Sequence, residues 1–76
     1  MSPRHEVRND VRRHRRQLPE LNQQALADRV GVTRQTIVSI ERGQYNPSVG
    51  LALRIASALG VSVEVLFQVD EGQVDE

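Results

Sequence analysis

The stretch LNQQALADRVGVTRQTIVSIERG, residues 21–43, decides the fold. Asn22 and Thr33 are residue types that cap helix N-termini, and each precedes a run of apolar residues at helical spacing. Gly31 lies between the two runs, where it can take the positive φ that ends a helix. We therefore predict two short helices joined by a tight turn, the second of which ends at about Arg42.

The same stretch meets the packing needs of two helices that cross nearly at right angles. A close crossing requires a small side chain at the contact, and Ala27 stands four residues before Gly31. Large apolar side chains must then line both inner faces. The positions that satisfy these constraints together are Leu26, Ala27, Val30, Gly31, Ile37 and Ile40. This combination is rare by chance and predicts a helix-turn-helix at residues 23–42.

The rest of the chain predicts three further helices and a polar end. One helix face is marked by Val7, Val11, His14 and Leu18, and Pro19 ends the helix, which we predict at residues 6–17. Serines at the N-cap position predict helices at residues 48–59 and 63–67, the first of which buries some combination of Leu51, Leu53, Ile55, Ala56 and Leu59. The acidic end that follows is either disordered, or residues 67–70 form a short edge strand.

Composition excludes several classes of protein. The 76 residues suffice for one small domain, and the only aromatic residues are Tyr45 and Phe67, which favours close-packed helices over a small β-barrel. The absence of cysteine excludes disulfides, thiolate metal sites and cysteine nucleophiles. No apolar run approaches the length of a membrane span or of a signal-peptide core. We expect an all-α cytoplasmic protein without a membrane partner.

The charges sum to zero, but they are divided along the chain. A formal net charge of zero taken alone argues against a nucleic-acid partner. However, residues 1–16 hold six arginines and two acidic residues, whereas residues 55–76 hold five acidic residues and no base. A molecule with one cationic end and one anionic end would approach DNA in a preferred orientation.

The quoted residues resemble the helix-turn-helix of the phage repressor and Cro family, also called the XRE family. The likeness is carried by LNQQALADRVGVTRQTIVSIERGQYNPS, residues 21–48, and continues through LALRIASALGVSVEVLF to residue 67. It implies a five-helix lambda-repressor-like DNA-binding domain at residues 1–67, followed by an acidic tail at residues 68–76. One short type of relative ends in a Phe-Gln-hydrophobic strand that pairs with the N-terminus, and residues 67–70 look similar.

The resemblance also implies roles for individual residues, because the second motif helix lies in the major groove in this family. The positions expected to contact bases are Thr33, Arg34, Gln35, Val38 and Ser39. Those expected to contact phosphates are Gln23, Thr36, Arg12, Arg16, Tyr45 and Asn46. A solvated helix face is the alternative for the two arginines of the first helix, and a purely turn-forming role is the alternative for Tyr45 and Asn46.

Two further expectations concern the frame of the domain. The link between the first two helices, residues 18–21, looks one residue longer than the commonest family form. When this insertion is placed in the link, Arg15 matches a family arginine that pairs with a glutamate, here Glu41. Arg16 takes that role if the alignment shifts by one. Related proteins dimerise around the fifth helix, which here implies an interface of Val63, Leu66 and Phe67. The alternative is that this apolar cluster caps the core of the monomer, and we expect it to serve both roles.

The function expected from these observations is sequence-specific binding of double-stranded DNA by a transcriptional regulator. We expect a homodimeric repressor that reads a pseudo-palindromic operator with the helix at residues 33–42. We expect no metal or other cofactor and no enzymatic activity, because His5 and His14 lack partners at ligand spacing and Ser39 lacks a neighbouring base. The alternative is an antitoxin-type module that binds a protein partner, with DNA binding secondary and autoregulatory.

Overall fold

A computed structural model of the protein describes residues 6–70. Within that range the helices are α1 (Val11–Arg16), α2 (Gln23–Val30), α3 (Arg34–Glu41), α4 (Val49–Leu59) and α5 (Val63–Leu66). Two short strands, β1 (Glu6–Asn9) and β2 (Phe67–Asp70), pair as an antiparallel ribbon. The helices α2 and α3 form the predicted helix-turn-helix, so the all-α prediction with a terminal strand pair is confirmed.

Side-chain caps begin four of the helices at the positions that the sequence indicates. The side chains of Asn22, Thr33, Ser48 and Ser62 each accept a hydrogen bond from a backbone N–H three residues further on. The turn between α2 and α3 is closed by Gly31, whose φ of 82° is left-handed. These local signals therefore fix where the helix-turn-helix begins, turns and resumes.

One apolar core joins all five helices. Its buried members are Val11, Leu21, Leu26, Ala27, Val30, Ile37, Ile40, Leu51, Ile55, Ala56, Leu59 and Leu66. The five apolar positions of the motif are all among them, as predicted. Leu53, one of the residues offered for burial in α4, is instead 52% exposed, because the buried face of that helix passes through Leu51 and Ile55.

The predicted start of the first helix at residue 6 is wrong. Residues 6–9 form β1, in which Val7 lies opposite Val69, and α1 begins only at Val11. Two long-range hydrogen bonds favour this arrangement. The Asn9 amide nitrogen donates to the Ile40 carbonyl at 2.8 Å, and the Asp10 backbone N–H donates to the Leu66 carbonyl at 2.8 Å.

The strand at residues 67–70, which the sequence left as one of two alternatives, is present. The domain boundary predicted at residue 67 therefore falls inside the folded unit, at the first residue of β2. The remainder of the predicted tail, residues 71–76, lies outside the described residues, as does His5. Within residues 6–70, every helix is too short or too polar to cross a lipid bilayer.

Replacing Asn9 by alanine tests the attachment of β1 to α3. The Asn9 side chain donates to the Ile40 carbonyl and accepts from the Val11 backbone N–H at 3.1 Å. Loss of both bonds leaves a partly buried carbonyl without this donor, and we expect the free energy of unfolding to fall by about 1 to 3 kcal/mol. Urea denaturation followed by circular dichroism measures the change.

The matched control is Asn46→Ala, since Asn46 lies exposed in the loop between α3 and α4. Its effect on the free energy of unfolding should stay within about 0.5 kcal/mol. Equal stabilities of the Asn9 and Asn46 variants would contradict the role assigned to Asn9.

Candidate nucleic-acid interface

The rotation of α3 about its own axis decides which of its side chains face outward. Ile37 and Ile40 are fully buried against the core. Helical periodicity then turns the intervening positions toward the surface. Of the five positions expected to contact bases, Thr33, Arg34 and Gln35 are exposed and the other two are partly buried.

A buried ion pair links α3 to α1. The Arg15 Nε atom lies 2.7 Å from Glu41 Oε2, and its Nη2 atom lies 3.2 Å from Glu41 Oε1. The two side chains are only 12% and 3% exposed. The structure thus brings Arg15, and not Arg16, to Glu41, in the bidentate geometry that gives strong charge-assisted bonds.

Gln23 extends this pair to the N-terminus of α3. Its Nε2 atom donates to Glu41 Oε1 at 3.0 Å, and its Oε1 atom accepts from Arg34 Nη2 at 3.2 Å. A continuous chain of hydrogen bonds therefore runs from α1 through α2 to the exposed Arg34 guanidinium. Gln23, which is predicted to contact a phosphate, is thus hydrogen-bonded to Arg34, which is predicted to contact a base.

One flank of α3 is strongly cationic. A depression of about 330 Å³ there is lined by Arg12, Arg15, Gln23, Arg34, Val38, Glu41 and Arg42. Four arginines face a single carboxylate in this depression, so it suits a phosphate group. Arg42 is absent from the sequence-based expectations. Its position four residues after Val38 places it on the same side of the helix and could have identified it.

The opposite flank of α3 is polar and uncharged. A depression of about 380 Å³ is lined there by Thr33, Gln35, Thr36, Ser39, Gln44 and Tyr45. Gln35 Nε2 donates to Ser39 Oγ at 3.3 Å, and the Thr33 and Thr36 hydroxyls lie 3.1 Å apart. The exposed Tyr45 and Asn46 continue this flank into the loop. The helix therefore presents a cationic side and a neutral side.

The arginines of α1 extend the cationic side away from α3. A larger depression, of about 640 Å³, is lined by Asn9, Asp10, Arg12, Arg13, Arg16 and Gln17. Arg12 borders both depressions and joins the two surfaces, whereas Arg16 borders only the one beside α1. Arg13 lies 3.5 Å from Asp10, which offsets part of the charge at this place.

The expected dimer interface needs a correction at one residue. Leu66 is fully buried in the monomer core, so it has no surface to offer a partner. Val63 and Phe67 are only partly covered by the same core. The exposed apolar side chains nearby are Val65 and Val69, at 42% and 50%. Of the two roles expected for this apolar cluster, Leu66 thus serves the core of the monomer.

No group of three or more His, Asp or Glu side chains within residues 6–70 is arranged to hold a metal ion. The Nε2 atom of His14 is buried and has no hydrogen-bond partner in the described part of the chain.

Comparison with known proteins identifies relatives that share most of the chain. A family model described as helix-turn-helix matches residues 13–66, from within α1 to the end of α5. A protein of Methanothermobacter thermautotrophicus is 53% identical over 66 residues, which cover 86% of this chain and 94% of that protein. An Archaeoglobus fulgidus protein is 46% identical over 56 residues, or 74% and 79% of the two chains.

A bacterial relative, YgzD of Bacillus subtilis, is 46% identical over 50 residues, which cover 66% of this chain and 76% of that protein. All three relatives carry the name uncharacterized HTH-type transcriptional regulator. The range matched by the family model includes Arg15 and Glu41, the turn and α3.

The ion pair between Arg15 and Glu41 can be tested by comparing single and double substitutions. Arg15→Ala leaves the Glu41 carboxylate buried without its countercharge, and we expect the free energy of unfolding to fall by about 3 to 5 kcal/mol. Replacing both residues, as Arg15→Met with Glu41→Leu, should cost less, because no unpaired charge remains. Denaturant unfolding of the three proteins measures the difference. A double variant less stable than Arg15→Ala would contradict this account.

Proposed function

The chain belongs to the helix-turn-helix family of DNA-binding transcriptional regulators, and from this premise we propose that it is a dimeric repressor reading a pseudo-palindromic operator. In the proposed complex α3 lies in the major groove of double-stranded DNA. The observation that carries the proposal concerns Arg34 and Gln35 at the start of α3. Both side chains are exposed, and each is hydrogen-bonded to a different neighbour, Arg34 to Gln23 and Gln35 to Ser39.

We assign the contacts with bases first to Arg34 and Gln35. A guanidinium has the fork geometry that matches the two acceptors of guanine, and a glutamine amide can pair with adenine. Val38 is an apolar side chain one turn further along, where it can contact a thymine methyl group. Thr33 and Ser39 are assigned to the same surface and complete the set of base-facing residues.

Phosphate contacts are proposed on both flanks of α3. Gln23 and Arg12 line the cationic depression, to which we add Arg42. Arg16 extends the contact along α1. The contacts on the neutral flank are assigned to Thr36, Tyr45 and Asn46. Because the two flanks border the same helix, they would meet the two backbones that enclose one major groove.

A two-fold dimer would match the symmetry of the operator. The two copies of α3 would lie about 34 Å apart, on successive turns of the duplex, which predicts a site of roughly 15 to 20 base pairs. For the contact between copies we retain Val63 and Phe67 and add Val65 and Val69, which are the more exposed side chains. Repression would follow from occupation of the operator.

Selection from random duplexes by the purified chain tests this proposal. The expected result is a symmetric motif of the stated length, bound by two chains, with analytical ultracentrifugation giving the stoichiometry. Failure to enrich any symmetric motif would overturn it. Co-purification of a second protein under the same conditions would favour the alternative, an antitoxin-type module in which DNA binding is secondary.

Arg34→Ala should lose specificity at a single position of the operator. The loss of a bidentate contact with guanine is expected to cost about 1 to 3 kcal/mol with the operator and to relax the base preference only at that position. Competition binding with singly substituted duplexes measures both effects. If affinity for every duplex fell equally, Arg34 would be a phosphate contact.

Arg12→Ala should weaken binding to all duplexes alike. A lost phosphate contact reduces the slope of log affinity against log salt by about one for each subunit, without changing the base preference. Titrations at several salt concentrations measure the slope. Arg29→Ala is the control, since Arg29 is exposed near the end of α2 and lines neither flank of α3. A slope that is unchanged in the Arg12 variant would contradict the assignment.

A further inference from the structure

Gln35, to which base reading is assigned, is hydrogen-bonded to Ser39 one turn further along α3. Resting on the proposed function, we propose that Ser39 is a positioning residue that restricts Gln35 to adenine and prevents it from reading guanine. The observation behind this inference is the hydrogen bond from Gln35 Nε2 to Ser39 Oγ at 3.3 Å.

A glutamine amide by itself can pair with either purine. It carries two N–H donors on Nε2 and one acceptor, Oε1. In the major groove adenine presents an acceptor at N7 and a donor at N6, whereas guanine presents acceptors at both N7 and O6. An unrestrained amide can satisfy adenine with one N–H and the oxygen. It can also satisfy guanine with its two N–H groups.

In the arrangement that the structure shows, Nε2 and not Oε1 faces Ser39 Oγ, and this orientation removes the ambiguity. Ser39 lies four residues after Gln35, so the two side chains are neighbours on one face of α3. With one N–H donated to Ser39 Oγ, the amide retains a single donor beside its acceptor. This remaining pair is complementary to adenine. Reading guanine at both acceptors would require the Ser39 bond to break.

The surroundings of Gln35 support the adenine assignment. None of the side chains lining the depression that contains Gln35 and Ser39 is charged, so no arginine is available there to read guanine. Arg34 lies on the opposite flank, where Gln23 Oε1 holds its guanidinium at 3.2 Å. The two consecutive residues are thus restrained by different neighbours and fit different bases.

A direct contact from Ser39 to a base would account for less of the discrimination between adenine and guanine. Serine hydroxyls donate and accept, so they pair with several bases and give little discrimination by themselves. The Ser39 side chain is also partly buried, whereas Gln35 is exposed. The specificity of Ser39 is therefore exerted through the donor that it occupies on Gln35.

The test compares adenine with guanine at the operator position that Gln35 reads. The operator selected by the wild-type chain is used, and Gln35→Ala identifies the position as the one where preference is lost. Wild-type protein should favour adenine over guanine there by on the order of ten- to a hundredfold. Ser39→Ala should reduce this ratio to within about threefold by gaining affinity for guanine at that position.

Two further variants make the result interpretable. Ser57→Ala removes another serine hydroxyl, from the exposed face of α4, and should retain the wild-type ratio. Adding Ser39→Ala to Gln35→Ala should change the ratio no further, because Ser39 acts through Gln35. Circular dichroism spectra establish that each variant is folded.

Several outcomes would overturn the inference while leaving the proposed function intact. Three of these outcomes concern Ser39→Ala: the variant keeps the adenine preference, binds all duplexes more weakly to the same extent, or loses its preference at a different base pair. The fourth is a wild-type operator that has guanine at the position read by Gln35. Absence of any selected operator for the wild-type chain would overturn the proposed function, and this inference with it.

Discussion

The carboxylate of Glu41 is the constraint on which the arrangement of the interface depends. It is almost completely buried, and a buried charge is costly unless it is paired and hydrogen-bonded. Arg15 from α1 and Gln23 from α2 together donate three hydrogen bonds to it. Three helices are therefore held in one geometry by a single group at the end of α3. The same Gln23 amide accepts a hydrogen bond from Arg34. The hydrogen bonds that pair the buried Glu41 carboxylate are thus connected to an exposed side chain.

The other restraint on α3 comes from outside the helix-turn-helix. Asn9, at the end of β1, donates to the carbonyl of Ile40, which precedes Glu41. The strand that carries Asn9 is itself paired with β2, which follows α5. The two ends of the described chain thus converge on the C-terminal turn of α3. The ribbon is part of the frame that orients the interface, although it supplies none of the residues expected to contact bases.

The features predicted correctly from the sequence are those that local chemistry determines. Capping residues and Gly31 fix the ends of α2 and α3, and the spacing of Ile37 and Ile40 fixes which side of α3 is buried. The strand β1 could not be predicted in this way, because Val7 and Val11 lie four residues apart and fit a helix equally well. What selects the strand is pairing with residues about 60 positions away, together with the bond from Asn9 to Ile40. The division of the apolar cluster at α5 between core and dimer surface could not be predicted for a related reason, since the burial of Leu66 depends on how α5 meets distant helices.

Because the charges of the whole chain cancel, the polar contacts of α3 have a larger part in the specificity of binding. With ten basic and ten acidic residues in the whole sequence, long-range attraction to the phosphate backbone is weaker than for a uniformly basic domain of this size. Discrimination must then come from side chains that meet the bases in a defined geometry. Side chains already held by neighbours lose less conformational freedom on binding. Arg34, held by Gln23, and Gln35, held by Ser39, have this property. The neutrality of the whole chain and the restraint of the side chains proposed to contact bases therefore favour the same result, which is a large share of specificity in the binding free energy.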